Sequence, residues 1–438
     1  MKSCGLVGDK VRLPKIKAPP EWGIEPVPRE KKTLNVLDIF VFWTSLAVGL
    51  LVLQAGALLT MSEFFGLSLG VAVIISLIGS IIGSLMLSAA GAIGTKEGVP
   101  TMVSLRPAFG LFGSYIPTFL NVIQLVGWTT FELIIMGEAA LAISGNFLGW
   151  FTRYFWIAVF AIWCYLMMIC GPLAIIRHWL EKFAIWITYI TSIWIFLQVI
   201  AMPISWQFSI TDFDVSTLLL ALDVVIAMPI SWMPLVSDYN RFVKDAKHSF
   251  IGTALGYIVA NTWFYLIGAA LSVAYPSESV VYSIAILLLG SIALLALLVD
   301  ETDNAFADIY SAAVSLQNVF PGVRQWKLGL IITAISLMLA YTVPIAQYEN
   351  FLLLIGASFI PVFGVLLADY FVLRRGHYDE GDLYPRLGSI RWMAVLSWAI
   401  GFMVYCYFAY LRPVIGATIP SFFSAFTSYL VIKKLSSK

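Results

Sequence analysis

Twelve stretches of this 438-residue chain are apolar over about the 20 residues that a helix needs to cross a bilayer. They are Leu37–Leu59, Leu69–Ala92, Leu111–Ile143, Tyr154–Gly171, Trp179–Pro203 and Thr217–Asp238, followed by Phe250–Tyr275, Val280–Val319, Leu328–Val343, Phe351–Leu373, Trp392–Leu411 and Val414–Ile432. Hydrocarbon offers no hydrogen-bond partner to a peptide group. A segment crossing lipid must therefore satisfy its own backbone, as a helix does. The expected fold is an all-α polytopic membrane protein. Composition agrees: 60% of residues are hydrophobic and 12% are charged, against about 25% charged in soluble domains.

With the N-terminus placed in the cytoplasm, only Arg153 and Arg412 of the 26 basic residues fall outside, as the positive-inside rule requires. This count also treats the 40 residues of Val280–Val319 as one span, because splitting them would move Arg324, Lys327 and the Arg374–Arg391 cluster outside. One long helix, tilted or protruding, is expected there. Residues 1–35 are polar and basic and lack the apolar core of a signal peptide, so the first span is expected to insert the chain. Residues 434–438 form a cytoplasmic tail.

Within Val280–Val319 lie Asp300, Glu301, Asp303 and Asp308, with no Lys, Arg or His among them. Carboxylates at membrane depth are costly unless protonated, solvated or holding a cation. Each option points to moving something across the bilayer. Asp300 and Glu301 are placed near a solvated edge.

Two spans carry interruptions. The first has Gln54, Ala55, Gly56 and Ala57 with Gly49 upstream, and the sixth has Pro229 and Pro234. Each proline removes a backbone donor from the helix. Interruptions five spans apart suggest inverted repeats around a midplane site. The transmembrane domain, 36–433, then divides into repeats 36–203 and 217–373 and two further helices in 392–432.

Gln124, Trp128 and Glu132 recur every four residues on the third span, forming one helical stripe. An amide, an aromatic face and a carboxylate suit a planar heterocycle stacked on the indole, with an amidine-like edge (a ring nitrogen beside an exocyclic amine) facing the Glu132 carboxyl group. Glu138 falls on another face and has no assigned role. On the eighth span Asp300, Asn304 and Asp308 form a second stripe beside Thr302 and Asp303. These oxygens, with main-chain carbonyls of Leu50 and Leu53 in the broken first span, would suit Na⁺; the carboxylates could instead carry a proton. Asp238, Tyr239 and Arg241 close the sixth span as a gate or anchor.

Other classes fit less well. His178, His248 and His377 fall in loops, which disfavours an intramembrane zinc or His proton relay. No phosphate-binding loop is present, so ATP drive and a nucleotide cofactor are not expected. The near-neutral charge of +1 implies no nucleic-acid partner. The partners expected are a small heterocycle and membrane lipid. Cys4, Cys164, Cys170 and Cys406 show no metal or disulfide spacing. An intramembrane enzyme would need a nucleophile–base pair that the spans lack.

Several segments together resemble the nucleobase–cation symporter-1 family of purine, cytosine, allantoin and hydantoin permeases. These are Glu25–Arg29 (EPVPR), Gly98–Pro100 with Arg106–Gly110 (RPAFG), Gln124–Glu132 (QLVGWTTFE), Ser231–Arg241 (SWMPLVSDYNR), Asp308–Ser311 (DIYS) and Leu354–Tyr370 (LIGASFIPVFGVLLADY). The resemblance implies a five-plus-five inverted repeat (LeuT-like) with two added helices, Na⁺ or H⁺ coupling and alternating access. It places Trp128 at the family's stacking tryptophan and Glu132 where many members carry a base-contacting glutamine. Asp308 falls at an asparagine of cytosine and hydantoin carriers, and Thr302 and Asp303 fall where hydroxyl residues help bind Na⁺. The second stacking aromatic aligns near Pro229, and Trp232 is expected to take its place. The Glu132 and Asp308 pattern is similar to the subgroup proposed to carry hydroxymethylpyrimidine. The expected function is a cation-coupled importer of a pyrimidine-like ring, sandwiched by Trp128 and Trp232 and held at its edge by Gln54, Glu132 and Asp308. The alternative is an amino-acid symporter of the same architecture.

Overall fold

The computed structural model describes residues 22–171, 185–206, 208, 214–276, 278–344, 348–412 and 415–436. His178 and Cys4, singled out above, lie outside these. Among the described residues, seven helices are long and apolar enough to cross a membrane: Leu69–Glu97, Tyr115–Ser144, Gly149–Cys170, Val215–Asn240, Ala246–Ala274, Phe351–Leu373 and Trp392–Leu411. The pair α1 (Val36–Leu46) and α2 (Leu50–Thr60), bent by 60°, adds a broken span. Ile185–Ile200 and Gln325–Ala340 are shorter apolar helices. Gly290–Gln317 carries the carboxylates, and Thr418–Ser436 ends the described chain. Each falls on one of the twelve stretches read from sequence.

The first span begins where its sequence dictates. The Asn35 side chain accepts from the N–H groups of Leu37 and Asp38, and the Asp38 carboxylate accepts from Asn35 N–H at 2.8 Å, a reciprocal cap. Its break lies at Ala47–Gly49, not at Gln54–Ala57 as expected. The cause is Gly49, whose φ of 137° is a conformation that side chains rarely adopt. Gly56 sits inside α2 and does another job: a Cβ there would overlap the backbone of Tyr265, so its small size lets α2 lie close against the seventh span, Ala246–Ala274.

The sixth span is loosened rather than bent. Its helix Val215–Ser231 gives way at Trp232 to a tighter turn over Met233–Leu235 and resumes over Val236–Asn240. Among the described residues α1 and α2 form the one span bent by more than 40°. The eighth span also departs from expectation. Val280–Ala285 forms a short helix, the chain turns at Leu289 with φ of 57°, and Gly290–Gln317 then runs as 28 residues, about 42 Å. A single span remains, without the long protrusion.

The third span, Tyr115–Ser144, and the eighth lie along one another, and the seventh packs on both the first and the second. The last two helices pack on each other and on the tenth span. Asp223 of the sixth span anchors the last helix by accepting from the N–H groups of Ala417 and Thr418.

A Cβ at Gly49 would lie 2.5 Å from Glu301 Oε2. Gly49→Ala is therefore expected to cost about 1–3 kcal/mol of stability through backbone strain. A lowered melting temperature of the purified protein would show it. Gly322→Ala, where nothing lies within 4 Å, is expected to leave that temperature unchanged.

Candidate substrate and cation site

The break in the first span leaves peptide groups without helical partners, and the eighth span supplies them. Leu50 N–H, in the first turn of α2, donates to Glu301 Oε2 at 2.6 Å. The Val48 carbonyl accepts from Asn304 Nδ2 at 3.1 Å. Glu301 and Asn304 are three residues apart on one helical face, so a single turn holds both sides of the break. Both are buried, at 1% and 5% exposure. Glu301 thus lies in the protein interior and not at a solvated edge. Asp300, fully buried, accepts from Thr188 Oγ1 of the fifth span at 2.9 Å and ties those two spans together.

The loosened sixth span is repaired in the same manner. Leu235 N–H bonds Trp232 C=O, three residues back, which takes from Ser231 C=O the partner an α-helix would give it. Gln124 Nε2 donates to that carbonyl at 3.0 Å and to Asn121 Oδ1 at 2.9 Å. Asn121 Nδ2 reaches Ser315 Oγ of the eighth span at 2.9 Å. Gln124 therefore holds the sixth span to the third and is not part of the cavity wall.

Between these repairs lies a small cavity of about 20 Å³, walled chiefly by Trp128, Trp232, Glu132, Glu301, Asn304 and Met228. That volume holds about one water. Trp128 meets Phe351 edge-on at 5.4 Å, and Trp232 meets Trp43 edge-on at 6.1 Å. Trp43 is fixed in turn by its Nε1–H, which donates to Asn240 Oδ1 at 2.8 Å. Three buried acceptor atoms on the wall have no hydrogen-bond partner: Glu132 Oε2, Glu301 Oε1 and Asn304 Oδ1. No Lys, Arg or His lines the cavity.

The structure brings Trp128, Glu132 and Trp232 together as read from sequence. Gln54 is half-buried on α2 and off the cavity wall. Asp308 lies one turn past Asn304, also off the wall, buried within electrostatic reach of Glu132 and with Oδ2 unpartnered. Leu50 and Leu53 belong to α2, and the Leu53 carbonyl faces Gly268 of the seventh span. Their carbonyls are not freed, because the break precedes both residues. Asp303 Oδ2 accepts from Ser45 Oγ at 3.4 Å, next to the break, and Thr302 Oγ1 donates to Val299 C=O at 2.7 Å. Any cation ligands from the first span would come from Ser45–Val48. Glu138 pairs with Arg153 at 3.4 Å, both about one-third exposed, which makes it a structural contact. Sequence reading assigned no role to Glu301 and did not single out Trp43 or Asn121. The Glu301–Asn304 spacing was the available signal, and it carries meaning only once the break is known to lie beside it.

A larger apolar groove of about 340 Å³ runs between the third, fourth and eighth spans, against Trp156, Trp163, Leu295 and Thr302. Trp163 and Leu295 are about half exposed, so the groove faces lipid. The opposite end of the molecule from the Glu138–Arg153 pair is sealed by polar contacts. Arg241 is fully buried and donates to Gly23 C=O at 2.7 Å and Tyr310 Oη at 3.3 Å. Asp238 accepts from Thr101 N–H at 3.0 Å. Arg106 reaches Asn318 Oδ1 at 2.8 Å and Leu383 C=O at 3.1 Å. Nearby, burial lowers the Lys32 ammonium from its usual range, with the Glu97 carboxylate opposing.

The many apolar helices, the broken span and the small cavity beside it fit a secondary transporter and not an enzyme, a class that similarity to known proteins bears out. The chain matches the family described as permease for cytosine/purines, uracil, thiamine, allantoin over residues 26–431, and it belongs to that family. Among curated relatives it is similar to the putative purine-cytosine permease YxlA of Bacillus subtilis, 23% identical over 87% of this chain and 86% of that protein. The cytosine permease of Escherichia coli (strain K12) is 27% identical over 74% and 75%. In fold it resembles Mhp1, a nucleobase-cation-symport-1 family transporter in a closed conformation with bromovinylhydantoin bound, at a TM-score of 0.80, 18% identity and 94% coverage of both chains. A Na⁺-coupled sialic acid symporter gives 0.62 at 13% identity, over 93% and 91%. The protein is thus a multi-pass membrane transporter of the inverted-repeat, LeuT-like class whose family takes small heterocycles.

If Gln124 holds the Ser231 carbonyl, Gln124→Ala leaves a buried acceptor unsatisfied, at a cost of about 1–3 kcal/mol. The melting temperature of the protein without ligand should fall. A residue that only contacts substrate would leave it unchanged.

Proposed function

We propose that this protein imports a pyrimidine-like heterocycle, such as hydroxymethylpyrimidine or cytosine, across the cytoplasmic membrane, with both termini inside. The observation that carries the reading is the buried Glu132 Oε2, unpartnered on a cavity wall shared with Trp128 and Trp232. Two indoles offer flat apolar faces to a ring, and a carboxylate between them accepts from an N–H edge. The cavity holds only about 20 Å³, room for about one water, so a ring enters only when its walls part, which is what alternating access requires. Asp308, one turn from the wall, becomes a further contact as the cavity opens.

The coupling cation, Na⁺ or H⁺, is assigned to the oxygens of Ser45, Thr302 and Asp303, where the first span breaks against the eighth. Oxygen donors suit a hard cation, and Asp303 equally suits a proton. A cation held there bridges two spans. It favours the state in which both are in contact, and its differential affinity for the two states sets the coupling.

Thermal stabilisation of the purified protein tests the substrate, because a ligand of the folded state raises its stability by mass action. The expected result is a shift with cytosine or hydroxymethylpyrimidine that grows with Na⁺ or with acidity. Shifts with amino acids alone would overturn the reading. Trp128→Ala should weaken binding by about 1–3 kcal/mol, the usual worth of a base–aromatic stack, and, because the indole is buried against Phe351, should also lower the ligand-free melting temperature. Asp303→Asn should abolish stimulation by the coupling ion in reconstituted vesicles and leave substrate counterflow intact. Undiminished ion stimulation would remove Asp303 from the cation site.

A further inference from the structure

Glu301 takes part in two structures at once. Its Oε2 accepts from Leu50 N–H at 2.6 Å, and the Leu51 N–H faces the same carboxylate. These are first-turn amides of the 11-residue α2, the end of a helix that attracts negative charge. In broken-helix carriers of amino acids, the carboxylate of the substrate takes that place. Here the chain fills it with a side chain of its own. The second oxygen, Oε1, has no partner, and Glu301 is 1% exposed and forms part of the cavity wall. Gly49 leaves the space, since a Cβ there would crowd Oε2.

We propose that Glu301 is a resident carboxylate that occupies the anion position of the broken first span and, through Oε1, binds the substrate directly. It is a specificity-determining residue of the transport site, and the inference rests on the reading of the Trp128–Trp232 cavity as that site. Two consequences follow from the chemistry. The substrate meets acceptor oxygens on two sides, from Glu132 of the third span and Glu301 of the eighth, so it must present N–H donors to both; a neutral or cationic aminopyrimidine does so. A substrate bearing a carboxylate is excluded, because the amides that would bind it are taken and the cavity has no basic side chain. Substrate binding is also tied to the hinge, since the group that accepts from the ligand also holds α2.

The test uses the full-length purified protein, with cytosine as a probe carrying an amino group beside a ring nitrogen, uracil as an imide probe, and acetate as a free carboxylate. Glu301→Gln keeps an oxygen for Leu50 N–H but turns an N–H₂ toward the cavity. It should remain folded and bind cytosine about tenfold or more weakly, the loss expected for a charge-assisted hydrogen bond, with uracil losing less. Glu301→Ala should melt lower than wild type and be restored toward it by excess acetate, which leaves wild type unchanged. Wild-type cytosine affinity in Glu301→Gln would overturn the ligand role, and absence of acetate rescue in Glu301→Ala would overturn the resident-anion role. If no heterocycle shifts wild type, the failure belongs to the proposed substrate class. Acetate rescue then decides the resident carboxylate by itself, and an unrescued Glu301→Ala overturns it.

Discussion

The contact between one turn of the eighth span and the break in the first is what the rest of the structure depends on. A helix interrupted at membrane depth exposes peptide groups that lipid cannot satisfy. Glu301 takes the N–H on one side and Asn304 takes to itself the C=O on the other. Removing either would leave a buried polar group unpaired, so the break and the acidic turn require one another. The carboxylates that look extravagant in an apolar sequence become intelligible at this point. Asp300 binds Thr188, Glu301 binds Leu50, and Asp303 meets Ser45.

That arrangement also joins the Trp128–Trp232 cavity to the two interrupted spans. Trp128 and Glu132 come from the third span, Trp232 from the loosened turn of the sixth, and Glu301 and Asn304 from the eighth. The sixth span is loosened at Met233–Leu235, where Leu235 N–H turns to Trp232 C=O, and Gln124 satisfies the Ser231 carbonyl left over without closing the helix. A ligand in the cavity touches elements whose geometry is already held by side chains rather than by regular helix bonds. The polar contacts around Arg241, Arg106 and Asp238 close one end of the bundle.

Much of the site was legible because helical spacing is regular. Four-residue recurrence placed Trp128 and Glu132 on one stripe, and the structure puts both on the cavity wall. The same reasoning grouped Gln124 with them, yet that side chain is spent on Ser231, a need that arises only from the altered hydrogen bonding of a different span. Gln54 looked like part of the break because it neighbours Gly56. Gly56, however, is small for the sake of Tyr265 across the interface, and the break belongs to Gly49, whose φ no composition argument reveals.

The sequence by itself determined a polytopic helical bundle, the spans and the orientation expected of it, and the placing of Trp128 and Glu132 on one helical stripe, whereas Trp232 was expected only from the family resemblance. These follow from local properties: the length of apolar runs, the distribution of basic residues and the 3.6-residue period of a helix. Tertiary structure alone decided where the first span breaks, that the 40-residue apolar stretch divides at Leu289, and which carboxylate faces the cavity. Each of those outcomes depends on which backbone groups lack partners after the helices have packed. An unpaired N–H at Leu50 has no sequence signature, and the residue that satisfies it lies 251 positions away.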